Sequence, residues 1–147
     1  MRVVALDPGM RRTGAALSDP SGLIATPARV IRGTSLRTQW AELTTWLRAL
    51  IEDEDGLEAI VVGVPKHLDG TPTDMTAQAE ALAARLERAI GVRVVMRDER
   101  LTSVAAEQML ATRGRDWRKR KEKLDAAAAA VLLQEYLDEQ QRLRATS

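Results

Sequence analysis

Residues 2–18 read Arg2-Val3-Val4-Ala5-Leu6-Asp7-Pro8-Gly9-Met10-Arg11-Arg12-Thr13-Gly14-Ala15-Ala16-Leu17-Ser18, and this stretch decides the fold. Val3 to Leu6 form an unbroken apolar run that ends on Asp7, the pattern of a strand buried on both faces. Pro8-Gly9 breaks it. A second strand is predicted from about Thr13 to Ser18, followed by Asp19-Pro20-Ser21-Gly22, a hairpin turn by composition. A third covers about Leu23 to Arg32, with Pro27 placing it at an edge or a bulge. The connections between these strands are too short for crossovers, so the three should form an antiparallel meander.

Outward from that meander, helices and strands alternate. Gly33-Thr34-Ser35 supplies a cap, and Leu36, Trp40, Leu43, Leu47 and Ile51 recur at helical spacing. Glu58 to Val64 is an apolar central strand. Thr71-Pro72-Thr73-Asp74 reads as a helix opening, with Met75, Ala79, Leu82, Leu86 and Ile90 as the inward stripe and Gly91 as the stop. Val92 to Arg97 is the last strand, and two helices are predicted near 102–112 and 123–142. Strands separated by helices join a sheet in parallel through right-handed crossovers. The prediction is an α/β fold: one mixed five-stranded sheet, strands 1–3 antiparallel and strands 4 and 5 parallel, flanked by helices. The alanines from Ala126 to Ala130 would let the final helix approach the sheet closely. No repeat is present, and residues 1–147 read as a single domain.

Composition narrows the function. Hydrophobic residues make up 45% and charged residues 29% of the 147, which argues against disorder. No apolar run approaches the ~20 residues of a membrane span, and the first strand meets a charge and Pro-Gly too early for a signal peptide. A cytoplasmic protein without a membrane partner is expected. With no cysteine, disulfides, thiolate chemistry and Cys-based zinc or iron–sulfur sites are excluded, and the single histidine, His67, rules out any metal site that needs two. The net charge of +1 hides an asymmetry: residues 113–123 carry seven basic and two acidic side chains. That block is either a solvated loop or a flexible arm that neutralises phosphates. Trp117 within it would stack on a base or anchor the arm to the domain.

The acids fall at element ends. Asp7 ends the first strand, Asp98 and Glu99 end the last, and Asp125 begins the alanine-rich helix. In such sheets, ligands gather at the carboxyl ends of strands. Crowded carboxylates repel one another unless a cation neutralises them. Oxygen ligands without His or Cys suit Mg²⁺ or Mn²⁺, and two such ions clamp the attacking and leaving oxygens of a phosphoryl displacement. Acids in a site with basic residues beside it is the arrangement a nuclease needs.

These residues also match a known family. Asp7-Pro8-Gly9-Met10-Arg11-Arg12-Thr13-Gly14-Ala15-Ala16 resembles the opening Asp-x-Gly-x-x-Arg-x-Gly-x-Ala of the YqgF (RuvX) proteins. Val61-Val62-Gly63-Val64-Pro65 with Asp69-Gly70 is similar to their Val-Gly-Leu-Pro…Asp-Gly loop, and Asp98-Glu99-Arg100-Leu101-Thr102-Ser103 to their Asp-Glu-Arg-Leu-Thr-Thr segment. Lys123-Leu124-Asp125-Ala126 and the helix after it resemble the family's closing helix. The resemblance covers nearly the whole chain. It implies an RNase H-like fold and divalent-metal-dependent hydrolysis of phosphodiester bonds, in the processing of pre-16S rRNA ends or as a Holliday-junction resolvase in DNA recombination and repair. It further implies Asp7, Glu99 and Asp125 as metal-binding acids, with Asp98 a fourth catalytic candidate. RuvC-type resolvases carry an acid after the fourth strand, where this chain reads Gly63-Val64-Pro65, as YqgF proteins do. Arg12 and Arg100 would bind the scissile phosphate or hold the acids in place by ion pairing.

Other signals are weaker. Lys66 would reach a phosphate, as would Arg118, Lys119, Arg120 and Lys121 of the basic segment. His67 is more simply an exposed loop residue than a general acid. No P-loop or Rossmann glycine pattern is present. The Asp7-Pro8-Gly9…Gly14 loop also resembles the first phosphate loop of actin-like ATPases, but those need two such domains. A non-catalytic nucleic-acid or ribosome-binding module would gain nothing from acids facing phosphates. The partner is expected to be nucleic acid: RNA first, branched or single-stranded DNA otherwise, with or without the ribosome. A junction resolvase would be a homodimer, whereas an rRNA processor could act as a monomer.

Overall fold

A computed structural model of the chain describes residues 1–99 and 117–146, with side chains described outside 117–123. Five strands, β1 (Arg2–Asp7), β2 (Arg12–Ser18), β3 (Ala25–Arg32), β4 (Leu57–Val64) and β5 (Arg93–Asp98), form one sheet in the order β3-β2-β1-β4-β5. β1 to β3 pair antiparallel, whereas β1–β4 and β4–β5 pair parallel. This is the mixed sheet predicted from the sequence. Among the described residues three helices accompany it: α1 (Leu36–Glu52), α2 (Thr76–Ile90) and α3 (Trp117–Ala145). Among the described residues, no helix is long and apolar enough to cross a membrane.

Side-chain alternation sends successive residues of a strand to opposite faces. Val4, Leu6, Ile60 and Val62 pack with Leu43 and Leu47 of α1 and Leu82 and Leu86 of α2. Val3, Ala5, Ala16, Ala59 and Val61 pack with Ala129, Leu132, Leu133 and Tyr136 of α3. The alanine run does bring α3 against the sheet, chiefly over β2, β3 and β1.

Several element boundaries differ from the sequence reading. β3 begins at Ala25, because the Asp19 carboxylate accepts bonds from the Leu23 and Ile24 amides, both at 2.8 Å, and removes them from the ladder. The Ser21 hydroxyl above all, and then those amides, hold the Asp19 carboxyl down at about 2. β3 is an edge strand, and its pairing with β2 is interrupted between Ala15 and Ala16, opposite Pro27. In α1, Ser35 and Thr38 form the reciprocal cap, but the buried stripe runs through Gln39, Leu43, Leu47 and Leu50, leaving Ile51 exposed. Trp40 is half-buried, beneath the Arg85 guanidinium at 3.9 Å.

Thr71-Pro72-Thr73-Asp74 does not open α2. Thr71 is tied by its amide (2.9 Å) and hydroxyl (2.6 Å) to the Asp69 carboxylate, and Pro72 bridges to Lys66. The helix starts at Thr76, whose hydroxyl donates to the Pro65 carbonyl at 2.5 Å. Gly91 does end α2, in the left-handed conformation (φ 75°). α3 starts at Trp117, so 117–123 of the basic segment belong to its first turns. The helix predicted near 102–112 and the first residues of the arm, 113–116, lie outside the described residues.

Candidate active site

Asp7 is the last residue of β1 and continues the Val3–Ala5 face toward α3. Its register partner on β2 is Gly14. A Cβ at Gly14 would lie 2.0 Å from the Asp125 carbonyl oxygen. The missing side chain therefore lets the α3 backbone lie directly on β2, which delivers Asp125 to Asp7 from the far end of the chain.

The third acid arrives by a similar device on the other flank. Gly63 occupies the α3-facing position after Ala59 and Val61 on β4. A Cβ there would lie 2.6 Å from Glu99 Oε2 and 3.0 Å from Leu132 Cδ2. Glu99 fills the volume that Gly63 vacates and is only 5% exposed. Its amide donates to the Val64 carbonyl at 3.3 Å, extending the β4–β5 alternation one residue beyond Asp98. That extension separates the two adjacent acids. Glu99 joins Asp7, whereas Asp98 is exposed and borders a cavity with Lys66, Glu80, Met96 and Arg97.

The Asp7 and Glu99 carboxyls are hydrogen-bonded to each other. Burial pushes both pKa values up, Asp7 to about 6 with a further rise from Asp125. Glu99 is raised more strongly, first by burial and then by the charge of Asp7. Glu99 Oε2 is buried and has no hydrogen-bond partner among the described residues. Asp125 is placed differently, with its Oδ2 paired to Arg12 Nε at 3.1 Å. Arg12 is thus ion-paired with an acid of the candidate site, one of the two roles that the sequence left open. Among the described residues, no group of three His, Asp or Glu side chains is arranged to hold a metal ion. Instead the three acids divide into a hydrogen-bonded pair and an acid held by arginine.

Other candidates are more dispersed. His67 is exposed in a tight turn, its amide donating to the Thr71 carbonyl at 2.9 Å. Arg100 lies outside the described residues, and Arg118, Lys119, Arg120 and Lys121 are placed only as α3 backbone. One contributor escaped the sequence reading. Gln39 is 1% exposed, accepts from the Thr13 hydroxyl (2.5 Å) and donates to the Gly9 (3.0 Å) and Met10 (3.2 Å) carbonyls. It fixes the loop that follows Asp7. A polar residue in register with Leu43, Leu47 and Leu50 was the available signal.

A family model described as "RuvX: Holliday junction resolvase" matches residues 1–139. The chain belongs to the RuvX family. Relatives named "Putative pre-16S rRNA nuclease" include one from Maridesulfovibrio salexigens, 39% identical over 137 residues and covering 93% of this chain and 98% of its own. Another, from Geobacillus kaustophilus, is 41% identical over 138 residues, covering 94% and 98%. Among solved structures, T. thermophilus RuvC in complex with a Holliday junction substrate superposes with a TM-score of 0.55 at 16% identity, over 96% of each chain. That likeness places the RuvX chain in the RNase H-like fold, as the motifs implied.

Proposed function

We propose that this RuvX chain is a divalent-metal-dependent nuclease that hydrolyses phosphodiester bonds at the ends of pre-16S rRNA in the cytoplasm. The nuclease reading rests on the family and the names of its relatives. Its metal dependence rests on one observation, a buried Glu99 carboxylate oxygen, pressed against Asp7, without a hydrogen-bond partner among the described residues. Two carboxylates so placed need either a shared proton or a cation. The donor set, all oxygen, fits Mg²⁺ or Mn²⁺. Asp7 and Glu99 would hold the first ion, and Asp125 would contribute to a second. Bound there, the ions supply positive charge against the carboxylates and the phosphate oxygens and raise the acidity of water.

The chain's own residues do the rest. Gly14 and Gly63 let three acids from distant segments approach one end of the sheet, Asp125 beside the Asp7–Glu99 pair. Arg12 keeps the Asp125 carboxylate oriented and brings a guanidinium to the edge of the site, where it would meet a phosphate. Gln39 fixes the Pro8–Arg11 loop, and with it the backbone beside Asp7. Arg100, Lys66 and the basic first turns of α3 are the further candidates for holding the substrate. Asp98, on the outer side of β5, would act on the site only through its charge on Glu99.

Branched DNA is the second reading, favoured by the family description and the shared RuvC fold. Cleavage of end-labelled RNA, single-stranded DNA and a four-way junction, each with Mn²⁺, Mg²⁺ or EDTA, decides between them. RNA should be cut only with metal, and Asp7→Asn and Glu99→Gln should each lower the rate by about a thousandfold. Preferential cutting of the junction would establish a resolvase, and full activity of Asp7→Asn would overturn the site. Salt-sensitive binding without cleavage under any condition would leave a non-catalytic module.

A further inference from the structure

Gln39 reaches the turn between β1 and β2 from the α1 side of the sheet. Its Oε1 accepts from the Thr13 hydroxyl, and its Nε2 donates to two successive carbonyls, those of Gly9 (3.0 Å) and Met10 (3.2 Å). Among the described residues every peptide bond is trans. In a trans peptide the N–H points opposite to the C=O within one plane. The Met10 and Arg11 amides complete the two peptides that Gln39 holds, so they point away from Gln39 and from α1.

The side they point to is the side of the acids. Side chains alternate along β2: Thr13 goes to Gln39, whereas Arg12 pairs with Asp125 and Gly14 lies against the Asp125 carbonyl. Asp7, the register partner of Gly14, shares that side. Met10 and Arg11 are both exposed, and among the described residues neither amide has an acceptor. The carbonyls from Gly9 to Arg11 are all bonded, the last by the Gly33 amide at 3.0 Å. A Cβ at Gly9 would lie 2.3 Å from the Arg12 carbonyl oxygen, so the turn is also closed tightly on itself. Water satisfies an ordinary surface turn on both sides. Here a glutamine that is 1% exposed holds the acceptors inward and leaves the donors outward, and a buried amide is tolerated only when so paired.

We propose that the Met10 and Arg11 amides form a neutral clamp for the nonbridging oxygens of a phosphodiester beside the acids. Successive N–H groups aimed to one side bind an anion without bringing a charge of their own. The proposal rests on the nuclease reading and gives the backbone of this turn a substrate contact. Gln39 is its positioning residue, acting through the two peptide planes. The ligand chemistry is a phosphodiester, shared by RNA and DNA.

The test follows the amide resonances of the isotope-labelled chain in EDTA during titration with the dinucleotide UpU, its deoxyribose counterpart, uridine or inorganic phosphate. The Met10 and Arg11 resonances should move downfield and saturate with one or both dinucleotides, and stay still with uridine. In Gln39→Glu, where a carboxylate replaces the donor, they should no longer respond. Should that variant fail to fold, backbone esters carry the test: an α-hydroxy acid at position 10 or 11 replaces one N–H by oxygen and keeps the side chain. Each ester should weaken binding of a labelled single strand by about tenfold. The slope of log affinity on log salt should not change, because a neutral donor releases no counterion. An ester at the exposed Glu54 is the control, next to Asp53, which pairs with Arg2 at the far end of β1.

A response to one dinucleotide supports the clamp and tells which backbone it holds. Still resonances, a response to inorganic phosphate alone, or esters no weaker than the control overturn it, and a flattened salt slope does so too. Metal-dependent cutting by the wild type would then keep the nuclease reading standing. An unchanged response in folded Gln39→Glu overturns the positioning role. Responding amides in a chain that cuts nothing would keep the clamp and overturn the nuclease reading.

Discussion

The two faces of the sheet are built from different residues. The α1–α2 face is filled by large aliphatic side chains, with Leu6, Ile31, Leu43, Leu47, Ile60 and Leu86 all almost wholly buried. The α3 face is lined near the site by Ala5, Ala16, Val61, Gly14 and Gly63. Large residues bury the most apolar area, about 1.5–3 kcal/mol for each fully buried aliphatic side chain. Small ones bury less but let backbones approach. One face therefore carries more of the stability, and the other exchanges some of it for the proximity that brings three acids together.

Substitution of the two glycines should break this contrast most severely. At Gly14 the obstacle is backbone, so Gly14→Ala has to displace α3. Cleavage should be lost, and stability should fall on the order of 2–4 kcal/mol in chemical denaturation. At Gly63 the obstacle includes a carboxylate that is able to swing away, so Gly63→Ala should lose activity with a smaller stability loss. Equal stability losses in the two variants would contradict the close backbone approach at Gly14.

Leu47→Ala probes the other face. A fully buried leucine truncated to alanine costs roughly 2–5 kcal/mol, yet cleavage per folded molecule should stay within about twofold of wild type. A large loss of rate at full folding would show that the faces are not independent.

The mildest effect is in pH. Carboxyls whose pKa values are raised in the folded state bind protons more tightly there than in the unfolded chain. Their contribution is complete below the ordinary carboxylate range, near 4, and is lost as pH rises through the folded-state values. For Asp7 this spans about 4 to about 6, and for Glu99 it continues higher. Melting temperature without metal should therefore decline across that window. Mg²⁺ or Mn²⁺ should reverse the decline, more so at higher pH, and Asp7→Asn should flatten it. A metal-independent, rising profile would refute the crowded pair.

The sheet was legible because its signals are local: an apolar run ending on Asp7, short turns, and helices with clear periods. Asp7, Glu99 and Asp125 were legible as acids at element ends, and the structure brings all three to one place. What the sequence could not show was their division into a pair and an acid held by Arg12, which depends on distances set by Gly14 and Gly63. The start of α2 was misread because Thr-Pro-Thr-Asp is also good loop chemistry, and the Asp69–Thr71 contacts decide the matter. The α1 stripe held at Leu36, Trp40, Leu43 and Leu47 but missed Gln39, which is buried by polar contacts to residues distant in sequence that an apolar pattern does not register.

Gly63 carries one more consequence. Because the Glu99 carboxylate occupies the volume beside its Cα, a side chain from β4 and one from the end of β5 compete for a single space. An acid at position 63 together with a small residue at position 99 would refill that space from the neighbouring strand. Either change made singly would crowd it twice or leave it hollow. Two descendants of one ancestor could thus keep the same arrangement of charge while each, compared position by position, seems to lack a residue the other has.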